Sequence, residues 1–141
     1  MKQSAEEPPA TMVSTSATGM DTAAAKSILV VDDEQNFVFL LDRVLTKRGY
    51  KVQTASNGEE ALRLFEQEPF DLALIDIRMG PVDGLSLLGE LKQRLPEIKA
   101  IMMTAYPTLD TRNRSFQKGA AAYFTKPVDL QKLVDTVHGL L

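Results

Sequence analysis

Ser27-Ile28-Leu29-Val30-Val31-Asp32-Asp33 carries an unbroken run of large apolar side chains straight into two carboxylates. A strand that is apolar at every position, rather than at every second one, has both faces covered, as the inner strands of a parallel sheet do. Asp71-Leu72-Ala73-Leu74-Ile75 repeats the texture before Asp76, and residues 98–103 repeat it before Thr104. Between such runs the spacing changes. Phe37, Leu40, Leu41, Val44 and Leu45 fall three or four apart, as do Leu85, Leu88, Leu91 and Leu95, and later Leu130, Leu133, Val134, Val137 and Leu141. That is the period of a helix with one buried face. Strands over 27–31, 50–54, 71–75, 98–103 and 121–125 therefore alternate with five helices, the pattern of βαβ units around a doubly wound parallel sheet.

The punctuation agrees. Gly49 and Gly119 stand where helices need a stop, and Pro69 and Pro96 follow two others. Asp83 is a candidate N-cap, and Ser56 with Glu59 three residues on has the form of a capping box before Ala61, Leu62 and Phe65. The fourth helix, residues 109–118, is weakly patterned. Phe116 is its large apolar anchor, with Leu109 at its start, so it is expected to be the least stable of the five. Arg112, Arg114 and Lys118 give it a basic surface. Residues 1–26 have few large apolar side chains and no period, which predicts a flexible N-terminal tail ahead of one domain over 27–141.

Composition narrows the function by exclusion. The chain has 141 residues, 44% hydrophobic and 25% charged, which fits one globular domain. A net charge of -3 argues against direct nucleic-acid binding, which needs concentrated Lys and Arg. With no Cys there is no disulfide, thiolate nucleophile or Cys-ligated zinc, and a single His leaves little room for His-based sites. No apolar stretch approaches a membrane span and no export signal is read at the start, so a soluble, cytoplasmic protein is expected.

Asp32, Asp33, Asp76, Thr104 and Lys126 all stand at or just past the carboxyl ends of expected strands. Open parallel sheets bind ligands at that edge. Three carboxylates gathered there raise one another's pKa unless something positive lies between them. A hard divalent cation meets the need, and magnesium does so while keeping waters and leaving room for a phosphoryl oxygen. Lys126 adds a second positive charge and Thr104 a hydroxyl donor, both suited to phosphoryl oxygens.

The order Val30-Val31-Asp32-Asp33-Glu34, then Asp76 to Gly84, then Met103-Thr104-Ala105, then Tyr123-Phe124-Thr125-Lys126-Pro127 resembles the receiver domain of bacterial two-component response regulators, over residues 27–141. The resemblance implies a flavodoxin-like fold with strand order 2-1-3-4-5. It implies Asp76 as phosphoacceptor, and magnesium held by Asp32, Asp33, Asp76 and the backbone carbonyl of Arg78. Lys126 would contact the phosphoryl group, with Thr104 and Tyr123 as switch residues that move together and a cis Lys126-Pro127 bond. The implied partners are a sensor histidine kinase or phosphotransfer protein, and a second copy of the chain through the face of the fourth helix, fifth strand and fifth helix. The downstream effector is not implied. One departure is visible: the family usually has Pro before Gly after the phosphoacceptor, whereas Gly80 precedes Pro81 here, which alters the turn beside the metal site.

Simpler readings exist for each residue. Asp32 and Asp33 could cap the first helix, Asp76 could be a turn residue, and Lys126 a solvated charge. Tyr123 could be packing alone. Tyr106 is read as packing, and His138 as a partner of the last helix's dipole. Two rival functions remain. A magnesium-dependent phosphohydrolase would want a second acid at position 78, where Arg stands. A receiver-like module that docks or dimerises without phosphorylation would have no use for Asp76, Thr104 and Lys126 together.

Overall fold

Burial along the strands sorts them into centre and edge. The computed structural model describes residues 25–80 and 82–141. In it, β1 (Ser27–Val31), β3 (Leu72–Asp76) and β4 (Lys99–Thr104) are buried along almost their whole length. By contrast, β2 (Lys51–Ala55) and β5 (Ala122–Thr125) are half-buried or exposed over most of theirs. The three apolar runs form the middle of a five-stranded parallel sheet of order β2-β1-β3-β4-β5.

Helices α1 (Gln35–Lys47), α2 (Gly58–Gln67), α3 (Gly84–Arg94), α4 (Leu109–Gln117) and α5 (Leu130–Leu140) connect the strands and close the chain. Because side chains alternate along a strand, the sheet feeds two cores. Ile28, Val30, Leu72, Leu74, Ile101 and Met103 face α1 and α5, which bring Val38, Leu41, Leu45, Leu133, Val134 and Val137. Leu29, Val31, Ala73, Ile75 and Met102 face the side of α2 and α3, which supply Ala61, Phe65, Leu85, Leu88 and Leu91.

The expected doubly wound α/β architecture with its strand order is the observed one. Its element ends differ in detail. The second, third and fourth strands each run one residue later than their apolar patterns, into Ala55, Asp76 and Thr104. Ladder bonds, not apolar side chains, set a strand's end: Ile77 N–H still donates to the Met103 carbonyl at 2.8 Å and Asp32 N–H to Ala55 at 3.1 Å. The expected Ser56–Glu59 box is also displaced by one residue. Asn57 is the N-cap of α2, accepting from Glu60 N–H at 2.8 Å, while the Glu60 carboxylate accepts from the N–H of Ser56 at 2.7 Å and from its hydroxyl. Asp83 does cap α3, through Ser86 N–H, and Gly49 and Gly119 take positive φ at the ends of α1 and α4.

In α4 one expectation fails. Phe116 is 40% exposed and Leu109 72% exposed, so neither anchors the helix; its buried side chain is the small polar Ser115. The tail assigned to residues 1–26 lies outside the described residues except for Ala25 and Lys26.

Candidate functional site

The strand register brings four of the expected site residues to the carboxyl edge. Asp32 follows β1, Asp76 ends β3, Thr104 ends β4 opposite Thr125, and Lys126 follows β5 with its N–H on the Thr104 carbonyl at 2.8 Å. The carboxylate oxygens of Asp32, Asp33 and Asp76 lie within 4.8 Å of one another. Asp32 is fully buried and Asp76 nearly so, while Asp33 opens to solvent. The Lys126 ammonium donates to Asp32 Oδ2 at 2.7 Å and Asp76 Oδ2 at 3.5 Å, and stands 3.7 Å from Glu34 Oε1. Beneath it, 5.0 Å away, is the Phe37 ring. Helix capping does not account for Asp32 and Asp33. Glu34 is the N-cap of α1 and makes no side-chain cap bond, and the one local bond of Asp32 is a turn to Glu34 N–H at 2.9 Å.

This geometry leaves the acids short of positive charge. Burial, then the neighbouring Asp32 carboxylate, push the Asp76 pKa up to about 6, against the opposing pull of Lys126 and the Arg78 N–H. Burial alone would lower the pKa of Lys126, but its hydrogen bond to Asp32 and the charges of Asp32, Asp76 and Glu34 outweigh it and raise the pKa. One ammonium faces three clustered carboxylates, two of them buried. Three hard oxygen donors in contact range, one side open to solvent and an uncompensated negative charge make a donor set that fits magnesium.

Close packing fixes the end of β3 at Asp76. A Cβ on Gly84 would collide with the Asp76 carbonyl oxygen and come within 2.8 Å of Ile77 Cα, so the first turn of α3 can lie against the end of β3 only with glycine there. Gly84 N–H donates to the Ile77 carbonyl at 2.8 Å. Gly80 takes φ +56°, in the left-handed region that glycine adopts without strain.

Thr104 is buried, and its hydroxyl accepts from Tyr106 N–H at 3.0 Å. Tyr123 is half-buried, and its hydroxyl lies 3.0 Å from Thr111 Oγ1 at the start of α4. Tyr106 is 63% exposed, with the Arg78 guanidinium 4.6 Å from its ring centroid. Arg78 thus stands two residues beyond Asp76 with its N–H on the Asp76 carboxylate at 3.3 Å and its guanidinium over Tyr106. His138 lies in the last turn of α5, as expected, and Nδ1 is also 3.3 Å from the Tyr50 hydroxyl. The Lys126-Pro127 bond is cis. Sequence reasoning missed the contacts of Phe37 with Lys126, of Arg78 with Tyr106 and of Thr111 with Tyr123. Only the first had a signal, in the short spacing from the acidic pair.

Comparison with known proteins decides the family. The model of the response regulator receiver domain matches residues 28–138. The chain belongs to the response regulator receiver domain family. This receiver is 42% identical over 114 residues to the transcriptional regulatory protein ZraR of Klebsiella oxytoca, a match spanning 81% of the chain but 26% of that protein. It thus spans about a quarter of the length of such regulators. Sporulation initiation phosphotransferase F of Bacillus subtilis is 38% identical over 116 residues, covering 82% of the chain and 94% of that protein. Among solved structures, the response regulator TrrA of Thermotoga maritima in complex with Mg2+-BeF superposes with TM-score 0.74 at 39% identity, over 82% of this chain and 99% of that one. A CheY-like receiver from Methanospirillum hungatei gives TM-score 0.80 at 34% identity, over 82% and 93%. Receivers of this family act as signalling switches in two-component systems. Among the described residues no helix is long and apolar enough to cross a membrane.

Proposed function

We propose that this receiver accepts a phosphoryl group on Asp76 from a phosphohistidine of a sensor histidine kinase or phosphotransfer protein in the cytoplasm, and relays it as a change of surface. The observation that carries the reading is the convergence of Asp32, Asp33 and Asp76 within 4.8 Å, with the Lys126 ammonium on two of them. Asp32, Asp33, Asp76 and the backbone carbonyl of Arg78 would hold magnesium. When bound, that cation offsets the charge that the acids and the phosphoryl oxygens bring together.

The residues of the chain do the rest. A carboxylate oxygen of Asp76 attacks phosphorus, the bond from phosphorus to the donor imidazole nitrogen breaks, and its electron pair stays on the ring. Lys126 exchanges part of its contact with Asp32 and Asp76 for the phosphoryl oxygens, where its charge stabilises the transfer. The Thr104 hydroxyl leaves Tyr106 N–H and donates to the acyl phosphate. Tyr123 moves with it, and the face of α4, β5 and α5 changes. A second copy of the chain docking on that face is the homodimer this reading allows.

An open groove of about 460 Å³ lies beside Lys126, lined by Phe37, Leu40, Pro127, Val128 and Leu130. Its largely apolar walls support a helical donor docking within reach of Asp76. The chemical test is incubation with a small acyl phosphate and magnesium, read by intact mass. One phosphoryl adduct is expected on the native chain and none on Asp76→Asn or with a chelator. An adduct on the variant would move the acceptor elsewhere, one that ignores the chelator would remove the metal role, and none on the native chain would favour docking without phosphorylation. Sustained phosphate release from small esters would favour the phosphohydrolase.

A further inference from the structure

Helix α4 is held to the domain by polar contacts. Leu109 points largely to solvent, Phe116 is only partly covered, and the hydroxyl of its buried Ser115 donates to the Thr111 carbonyl at 2.7 Å. Its first turn has a reciprocal capping box: Thr108 Oγ1 accepts from Thr111 N–H at 3.0 Å, and Thr111 Oγ1 accepts from Thr108 N–H at 3.3 Å. Thr111 Oγ1 is also 3.2 Å from the Thr108 carbonyl and 3.0 Å from the Tyr123 hydroxyl. A hydroxyl has one proton to give and two lone pairs to receive. Thr111 Oγ1 thus has the Thr108 N–H, carbonyl and hydroxyl, the last at 3.0 Å, and the Tyr123 hydroxyl within hydrogen-bond distance, and either hydroxyl can be the donor in the Tyr123 bond.

We propose that Thr111 is the positioning residue of Tyr123: the hydroxyl that completes the α4 capping box also holds the Tyr123 hydroxyl, so the start of α4 and the Tyr123 ring move as one. The inference rests on the reading of Thr104 and Tyr123 as the elements that respond to a phosphoryl group at Asp76. Its path is continuous. The Thr104 hydroxyl holds Tyr106 N–H, the chain from Tyr106 runs into the Thr108–Thr111 box, and the box holds Tyr123. Drawing the Thr104 hydroxyl toward Asp76 frees one end of that path, and turning Tyr123 breaks the other. The Tyr123 bond therefore favours the present arrangement, and breaking it favours the activated one.

The test uses the full chain with its three tyrosines, Tyr50, Tyr106 and Tyr123, labelled as fluorotyrosine. Beryllium fluoride with magnesium is titrated in and followed on the Tyr106 resonance beside the site, while the Tyr123 resonance reports its ring. Thr111→Val should tighten apparent beryllium fluoride binding about five-fold, the size of one hydrogen bond of modest net worth. Thr111→Ser, which keeps the hydroxyl, should restore the native value. Tyr123→Phe should tighten binding in the same direction, and the double variant should gain less than the sum of the two, because both remove the shared Thr111–Tyr123 bond. An unchanged or weakened affinity in Thr111→Val, or additive effects in the double variant, would overturn the role of Thr111 while leaving the switch standing, provided that the native Tyr123 resonance moves on binding. A Tyr123 resonance that stays fixed when beryllium fluoride binds would overturn the switch reading itself, and this inference with it.

Discussion

Asp76 is caught between burial and charge. Its surroundings and Asp32 together hold its proton up to about pH 6, so at neutral pH the carboxylate is ionised but poorly compensated. If Asp76 holds magnesium as proposed, a proton and the cation compete for the same oxygens. Magnesium affinity should be level above pH 7 and fall below about pH 6, at a limit of about tenfold per pH unit for one competing proton. Calorimetric titration between pH 5 and 8 measures this; an affinity flat down to pH 5 would show that Asp76 is not a ligand. Beside it, Gly84 is held to a single residue type by its collision course with the Asp76 carbonyl. Gly84→Ala should cost at least ~2 kcal/mol and weaken magnesium binding, since the strand end must move. Gly89→Ala, one turn further along α3, meets only the Lys118 ammonium at 3.6 Å. It should be neutral or stabilising by about 0.5–1 kcal/mol from the gain in helix propensity. Urea unfolding of the two variants gives the comparison, and equal effects would show that the close approach at Gly84 carries no energy.

Among the elements, α4 and α5 differ most in what fastens them. Leu133, Val134 and Val137 bury one side of α5 in the core beside α1, whereas α4 has Ser115 and a capping box. A short helix without an apolar stripe gains little from packing. Backbone amides 112–117 should therefore exchange faster than amides 133–140 in the unphosphorylated chain, by tenfold or more if the local stabilities differ by ~1.4 kcal/mol. Equal protection would mean that polar contacts fasten α4 as firmly as the core fastens α5. The sequence made much of this legible, because each inner strand is apolar at every position and each well-fastened helix repeats its apolar residues at one period. The acidic residues were legible as a site because they stand where those runs end. What stayed hidden depends on contacts between distant elements or on choices between neighbours. Phe116 is apolar, yet nothing local tells which way a lone aromatic faces. Ser56 and Asn57 can both cap, and Glu59 and Glu60 can both answer, so the local pattern does not choose between two registers of the box one residue apart. Thr111 reads as an ordinary first-turn residue until β5 brings Tyr123 against it.

At the scale of the molecule, two apolar cores stabilise the sheet while its carboxyl edge works against them. The proton on Asp76 is held more tightly in the folded chain, at about 6, than in an unfolded one near the ordinary value of 3.8. Folding is therefore favoured most below pH 3.8 as far as this group is concerned, and that advantage is lost as the pH climbs through 6; above that it stays lost. The loss amounts to ~3 kcal/mol at one kcal-scale step per pH unit of displacement, a large share of a small domain's stability. Asp76→Asn carries no titrating group there, so the variant should be the more stable protein at pH 7.5 without magnesium, and its advantage should shrink toward pH 4. Magnesium should narrow the gap from the other side, since a cation that binds only the folded state at a hundred times its dissociation constant contributes ~2.7 kcal/mol. Thermal unfolding of both proteins at pH 4.5, 6 and 7.5, with magnesium and with chelator, separates the effects. A native protein as stable as Asp76→Asn at pH 7.5 in chelator would mean that Lys126 alone balances the acidic edge and that the cation serves the chemistry without serving the fold.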